Sequence, residues 1–134
     1  MRRLVLIAAV LVMSLPIVGA PAAAASPVTS FTACSVKPHG TRCANDVIYH
    51  LGDTIRLRGR VKPALASLRA RVWREKPQQK KFHLVATVPI GPGGGMHYVW
   101  PTSLRTDPGE AQYRFQFRIP GHGRSNVVRL WLLF

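Results

Sequence analysis

The run Thr54-Ile55-Arg56-Leu57-Arg58-Gly59-Arg60-Val61-Lys62 constrains the fold more than any other stretch. Ile55, Leu57 and Val61 share one side of the chain, while Arg56, Arg58, Arg60 and Lys62 share the other. Apolar and charged residues alternating with a period of two, with β-branched residues among them, describe a strand that buries one face and wets the other. Gly59 falls on the inward side, where the missing side chain lets a bulky neighbour approach.

The same period recurs further along. In Gln112 to Ile119, the residues Tyr113, Phe115, Phe117 and Ile119 point one way and Arg114, Gln116 and Arg118 the other. Pro120-Gly121-His122-Gly123 then turns the chain. In Asn126 to Phe134 the better inward set is Val128, Leu130, Leu132 and Phe134. Weaker strands are expected over Asp46–Leu51, Arg69–Glu75 (Ala70 and Val72 inward), Phe82–Val88 and Met96–Trp100, the last after Gly91-Pro92-Gly93-Gly94-Gly95. Seven or so short strands with regular turns, no amphipathic helix and no internal repeat predict one all-β domain, an antiparallel β-sandwich of about seven strands.

Composition agrees. Of the 134 residues, 47% are hydrophobic and 18% charged, too apolar for a disordered chain. The 11 Gly and 11 Pro are spread along the whole length, which excludes a coiled coil.

The first 25 residues read as an export signal. Met1-Arg2-Arg3 is basic, Leu4 to Met13 is unbroken apolar sequence, and Pro16, Gly19 and Pro21 disfavour a continuing helix. Small residues at Ala23 and Ala25 predict cleavage after Ala25. A membrane anchor is the rival, since Leu4 to Ala25 is long enough to span. Cleavage makes the protein secreted, extracellular or associated with the cell envelope. The predicted organisation is a signal peptide over 1–25, an N-terminal segment over 26–45, and the sandwich over 46–134.

Cys34 and Cys43 fit an oxidising compartment. A disulfide between them would pin the N-terminal loop and restrict the unfolded chain by about 2.5–3 kcal/mol in the loop-entropy model. The eight residues between them exclude the two-residue spacing of a redox pair. His39 within the loop adds at most a third ligand, so no metal site is expected.

The order Gly52-Asp53-Thr54 through Val61, then Val72, Leu84-Val85-Ala86, Pro108-Gly109 and Tyr113-Arg114-Phe115 resembles the immunoglobulin-like modules of secreted actinobacterial proteins. The resemblance covers about residues 46–134. It implies an immunoglobulin-like sandwich with a binding, adhesion or spacer role and no catalytic residues. The inter-sheet disulfide of antibody domains is absent, and Leu57 and Phe115 take comparable core positions.

Catalytic patterns are missing from the sequence. The carboxylates are Asp46, Asp53, Glu75, Asp107 and Glu110, and the one close pair, Asp107 and Glu110, flanks a Pro-Gly turn. His39, His50, His83, His97 and His122 are scattered. The Gly91–Gly95 run lacks the Lys-Ser/Thr of a phosphate loop. No enzyme activity, catalytic residue, metal or small-molecule cofactor is expected.

Charge is the remaining signal. Nineteen Lys and Arg against five Asp and Glu give +14. If the third, sixth and seventh strands share a sheet, Arg69, Arg71, Arg114, Arg118 and Arg129 point outward from it with Trp73 among them. Guanidiniums match phosphate and carboxylate oxygens in paired geometry, and an aromatic ring between them suits a sugar or a base. The expected partners are anionic cell-wall polymer, lipid head groups or extracellular nucleic acid. Two rivals stand beside this. The charge can reflect an Arg-rich composition and no more, and Trp73 can turn inward as the core tryptophan of its strand. A different role follows from Trp131 and Leu133, which leave the last strand apolar on both faces and point to a protein partner on that strand or on a sheet edge.

Overall fold

The structure is a computed structural model that describes residues 27–77, 79–102 and 111–133. The expected signal segment, the Asp107–Glu110 turn and Phe134 lie outside the described residues.

Ten strands are present among the described residues: β1 (Ser30–Val36), β2 (Cys43–Ala44), β3 (Asp46–His50), β4 (Thr54–Lys62), β5 (Arg69–Glu75), β6 (Phe82–Pro89), β7 (Gly95–Pro101), β8 (Ala111–Ile119), β9 (Gly123–Arg124) and β10 (Val128–Leu133). They form two sheets. One runs β2-β1-β4-β7; the other runs β3-β10-β8-β5-β6, with β9 paired to β8. Every pairing is antiparallel except β3 with β10. The protein is an all-β sandwich. The first, second and fifth long strands of an immunoglobulin domain share one sheet, and in the other the sixth lies between the third and the seventh; β1-β4-β7 against β10-β8-β5 has that order.

The alternation seen in sequence sets which side of each strand is buried. Ile55, Leu57, Gly59 and Val61 of β4 are buried and its four cations exposed. Tyr113, Phe115, Phe117 and Ile119 of β8 and Val128, Leu130 and Leu132 of β10 close on them from the other sheet. Each large apolar side chain buried this way contributes about 1.5–3 kcal/mol relative to exposure. A Cβ on Gly59 would lie 2.8 Å from Met96 Cγ and 3.1 Å from Phe117 Cδ2, so the bare glycine is what lets the two sheets close there.

Three features depart from the expected organisation. The sandwich begins before residue 46: β1 lies inside the first sheet, pairing with β4 from Ser30↔Lys62 to Ser35↔Leu57. Its inward residues opposite the β4 core set are Phe31, Ala33 and Ser35, two of them small and one polar, which hides the alternation. The tryptophan that packs against the core is Trp100 on β7, half-buried, its ring 5.1 Å from that of Tyr113 and 5.6 Å from that of Phe115. Trp73 sits on the outer face. Finally, Tyr49 on β3 is fully buried and its hydroxyl bonds to Ser35 Oγ at 2.6 Å and to the Val36 carbonyl, tying the edge of one sheet to β1 of the other.

The Cys34–Cys43 disulfide is formed, with 5.4 Å between Cα atoms, and holds β2 to β1. Among the described residues no helix is long and apolar enough to cross a membrane.

Candidate functional site

The outer face of the β3-β10-β8-β5-β6 sheet is organised in rows that run across the strands. In an antiparallel pair, directly opposed residues lie about 4.5–5.5 Å apart at Cα and project to the same face, so register decides which charges meet.

One row runs Arg124 (β9), Arg118 (β8), Arg71 (β5), Thr87 (β6). It places three guanidiniums side by side. The next row is Gln116 (β8), Trp73 (β5), Leu84 (β6), with a β-bulge at Val72/Trp73 against β6. The row beyond runs Asp46 (β3), Arg129 (β10), Arg114 (β8), Glu75 (β5), Phe82 (β6). Here the charges balance in sign. Arg114 Nη1 reaches Glu75 Oε2 at 3.3 Å, and its guanidinium lies 5.7 Å from the Phe82 ring centroid. Arg69 lies at the far end of β5 opposite Pro89, exposed.

The outward face therefore holds Arg69, Arg71, Trp73, Arg114, Arg118 and Arg129 together, but in two different electrostatic settings. Arg114 is committed to a carboxylate, and Arg129 stands between Arg114 and Asp46. Arg71 and Arg118 have no carboxylate partner among the described residues. Arg124 joins them, and sequence reasoning missed it: a two-residue strand after a Gly-Pro-rich turn has no periodicity to mark its face.

Arg118 is held in place. Its Nε donates to Gln116 Oε1 at 2.9 Å, and Gln116 Nε2 donates to the Ser125 carbonyl at 2.8 Å. Gln116 is buried. The guanidinium carbon stands 4.6 Å from the Trp73 ring centroid and 5.3 Å from that of Phe82. Cation–π contacts of this kind contribute about 0.5–2 kcal/mol, and the Gln116 bond fixes the rotation of the planar group. Arg118 lines a cleft on this face. Trp73 is half-buried under this stack, and its indole N–H is enclosed without an acceptor among the described residues.

A cleft of about 390 Å³ opens at this point, lined by Arg71, Trp73, Arg118, Arg124 and the Ile119–Gly123 turn. Three arginines thus stand over a partly apolar floor of Trp73 and Pro120. A second cavity, about 570 Å³, lies at the disulfide loop and mixes Lys37, His39 and Arg56 with Asp53. No protein-family model matches the chain, and no curated protein matches it.

The opposite sheet is basic too. Arg56, Arg58, Arg60 and Lys62 lie in a line along β4, flanked by His97 and Val99 of β7 and by Thr32 and Cys34 of β1. No aromatic ring among the described residues stacks on any of these side chains. Among the described residues no group of three His, Cys, Asp or Glu side chains is arranged to hold a metal ion.

Two tyrosines are perturbed. Burial raises the Tyr49 phenol, with the Ser35 hydrogen bond opposing, and burial raises Tyr98, with the Arg74 charge opposing. Arg74 is on the inward phase of β5 and lies 4.6 Å over Trp100 at the sandwich margin.

Proposed function

We propose that the protein is an exported, non-enzymatic binding module that associates with an anionic polymer of the cell envelope, or another extracellular polyanion, through the outer face of the β3-β10-β8-β5-β6 sheet. The observation that carries this is the uncompensated row Arg71–Arg118–Arg124. Like charges placed directly opposite one another on a sheet destabilise it, and an anion lying across them turns that cost into attraction. The fixed orientation of Arg118 supports the same conclusion, because a guanidinium already ordered loses less entropy on binding. Lipid head groups and extracellular nucleic acid carry the same phosphate chemistry and belong to the same class of partner. The immunoglobulin-like modules that the sequence resembles have binding and adhesion roles, in agreement.

The test is binding of the secreted protein to purified anionic cell-wall polymer across a salt series. Affinity should fall steeply with salt. Replacing Arg69, Arg71, Arg114, Arg118 and Arg129 together should abolish most of the binding, flatten the salt slope and leave the melting temperature within a few degrees. A five-arginine variant that folds and binds at full strength ends the proposal.

A second reading, a protein-interaction module, is favoured by one observation. Trp131 and Ile48 are opposed across β10 and β3 on the same outer face, 40% and 56% exposed. Contact through them would be insensitive to salt, which separates it from the first.

A further inference from the structure

The cleft above Trp73 differs from the rest of the basic face, and the difference assigns it a narrower task. A delocalised electrostatic surface needs only positive charge, and Arg114 and Arg129 would serve it as well as any other residues. The cleft instead brings Arg71, Arg118 and Arg124 together around one volume of about 390 Å³ with no carboxylate among its lining. Arg118 is locked from behind by Gln116 and from below by Trp73. Each guanidinium offers paired N–H donors in a fixed fork. A carboxylate presents two oxygens and is satisfied by one such fork. Three forks from three strands match a tetrahedral oxyanion, which presents oxygens in several directions. The apolar floor of Trp73 and Pro120 suits the carbon skeleton that an ester carries and a free inorganic ion lacks.

We propose that the Arg71–Arg118–Arg124 cleft is a discrete site for a phosphate ester borne on a sugar or polyol, with Trp73 beneath Arg118 and packed against the carbon skeleton. This rests on the outer face being the binding face, and adds that recognition is concentrated at one end of it. The ester has two sources in an anionic polymer, the chain-end monoester and the backbone diester. Three terminal oxygens make the monoester the better fit to three forks.

The experiment uses the secreted protein and three small probes: glycerol 1-phosphate, the diester glycerophosphoglycerol, and acetate as the carboxylate control. Binding is read by titration of tryptophan fluorescence, with Trp73→Phe to assign the signal, and by competition against the anionic polymer. Arg71→Gln, Arg124→Gln, Arg114→Gln and Arg129→Gln each remove one charge, and Arg118→Lys removes none. The expected result is that both phosphate esters bind, the monoester the more tightly, and acetate does not. Polymer affinity should fall at least tenfold in Arg71→Gln, Arg124→Gln and Arg118→Lys, and no more than about threefold in Arg114→Gln and Arg129→Gln. Melting curves confirm that each variant is folded. Equal weakening by all four Gln variants, with Arg118→Lys like wild type, overturns the discrete site and leaves the basic face standing. Polymer binding unaffected by every variant overturns both. Tighter binding of the diester keeps the site and makes the polymer backbone its source.

Discussion

Arg118 lies 4.6 Å over the Trp73 ring while its Nε donates to the buried amide of Gln116. Two neighbours thus fix one guanidinium, one through its π face and one through a hydrogen bond. The same strand carries Arg114, four residues back, which is anchored quite differently, by Glu75 at 3.3 Å with side chains 41% and 17% exposed. An ion pair so exposed adds little stability, about 0–1 kcal/mol; its effect is to remove Arg114 from the pool of uncommitted charge. The sheet face is therefore graded, neutralised where β3 and β5 bring Asp46 and Glu75 into register and unneutralised where β9 and β5 bring more arginine.

The two tryptophans of β5 and β7 should respond unequally to truncation. Trp100→Ala empties a site among Tyr113, Phe115 and Ile55's neighbours in the core and is expected to cost about 3–5 kcal/mol. Trp73→Ala removes a half-buried ring and a cation–π contact from the outer face and should cost about 1–2 kcal/mol. Urea denaturation of the two variants checks the order, and a Trp73→Ala cost equal to that of Trp100→Ala would place Trp73 in the core.

Much of this architecture was legible where one face of a strand is uniformly apolar. Thr54–Lys62 and Arg69–Glu75 have in the structure the limits that alternation gives them, and the outward phase of Arg69, Arg71 and Trp73 follows from Ala70 and Val72 being buried. The first strand was not legible, because its inward positions Ala33 and Ser35 carry no hydrophobic signal; Ser35 is buried for its hydrogen bond to Tyr49. Nor was the row of three arginines. Which of them meet depends on register between strands about 50 residues apart in sequence, and Arg124 enters through a two-residue pairing. The role of Trp100 was only weakly marked: Met96, Tyr98 and Trp100 share the inward phase of β7, but the exposed Val99 on its other face blurs the contrast.

Two glycines test how closely the elements approach. Gly59→Ala would push its methyl against Met96 Cγ and Phe117 Cδ2, an overpacking cost of about 1–3 kcal/mol. Met96→Val in the same chain should recover part of it, since Met96 is the nearer neighbour. Gly94→Ala should be worse. Gly94 has φ of 81°, and its Cβ would fall onto the Val61 carbonyl, which is backbone and has no rotamer to escape into. Backbone strain of about 1–3 kcal/mol adds to the clash there. Thermal melts of the three variants give the ranking.

Reduction of the Cys34–Cys43 bond should destabilise without dismantling the sandwich. The bond closes a loop of about ten residues, for which the loop-entropy model gives about 2.5–3 kcal/mol. β1 keeps its six-residue pairing with β4 after β2 is released. The expected outcome is a lower denaturation midpoint in reductant with unchanged far-ultraviolet circular dichroism at low denaturant. The Cys34→Ser, Cys43→Ser double variant should behave like the reduced protein.

Alkaline pH should weaken the fold through Tyr49. Its hydroxyl is buried between the sheets, bonded to Ser35 and the Val36 carbonyl, and burial raises its pKa above the ordinary value of 10.0. The folded state therefore keeps this proton at a pH where the unfolded chain has lost it. Since the unfolded state binds fewer protons there, stability falls as pH rises. The contribution is complete below about pH 10 and is lost as pH climbs from there through the folded-state pKa. Tyr98, raised by burial as well, acts in the same window. Tyr49→Phe should cost about 1–3 kcal/mol at neutral pH, because the Val36 carbonyl and Ser35 hydroxyl lose a buried partner. It should also make the alkaline limb of the stability profile shallower, leaving the part due to Tyr98. Denaturation midpoints measured from pH 7 to pH 11.5 for wild type and Tyr49→Phe decide it: parallel profiles would mean that ionisation of Tyr49 is not linked to folding.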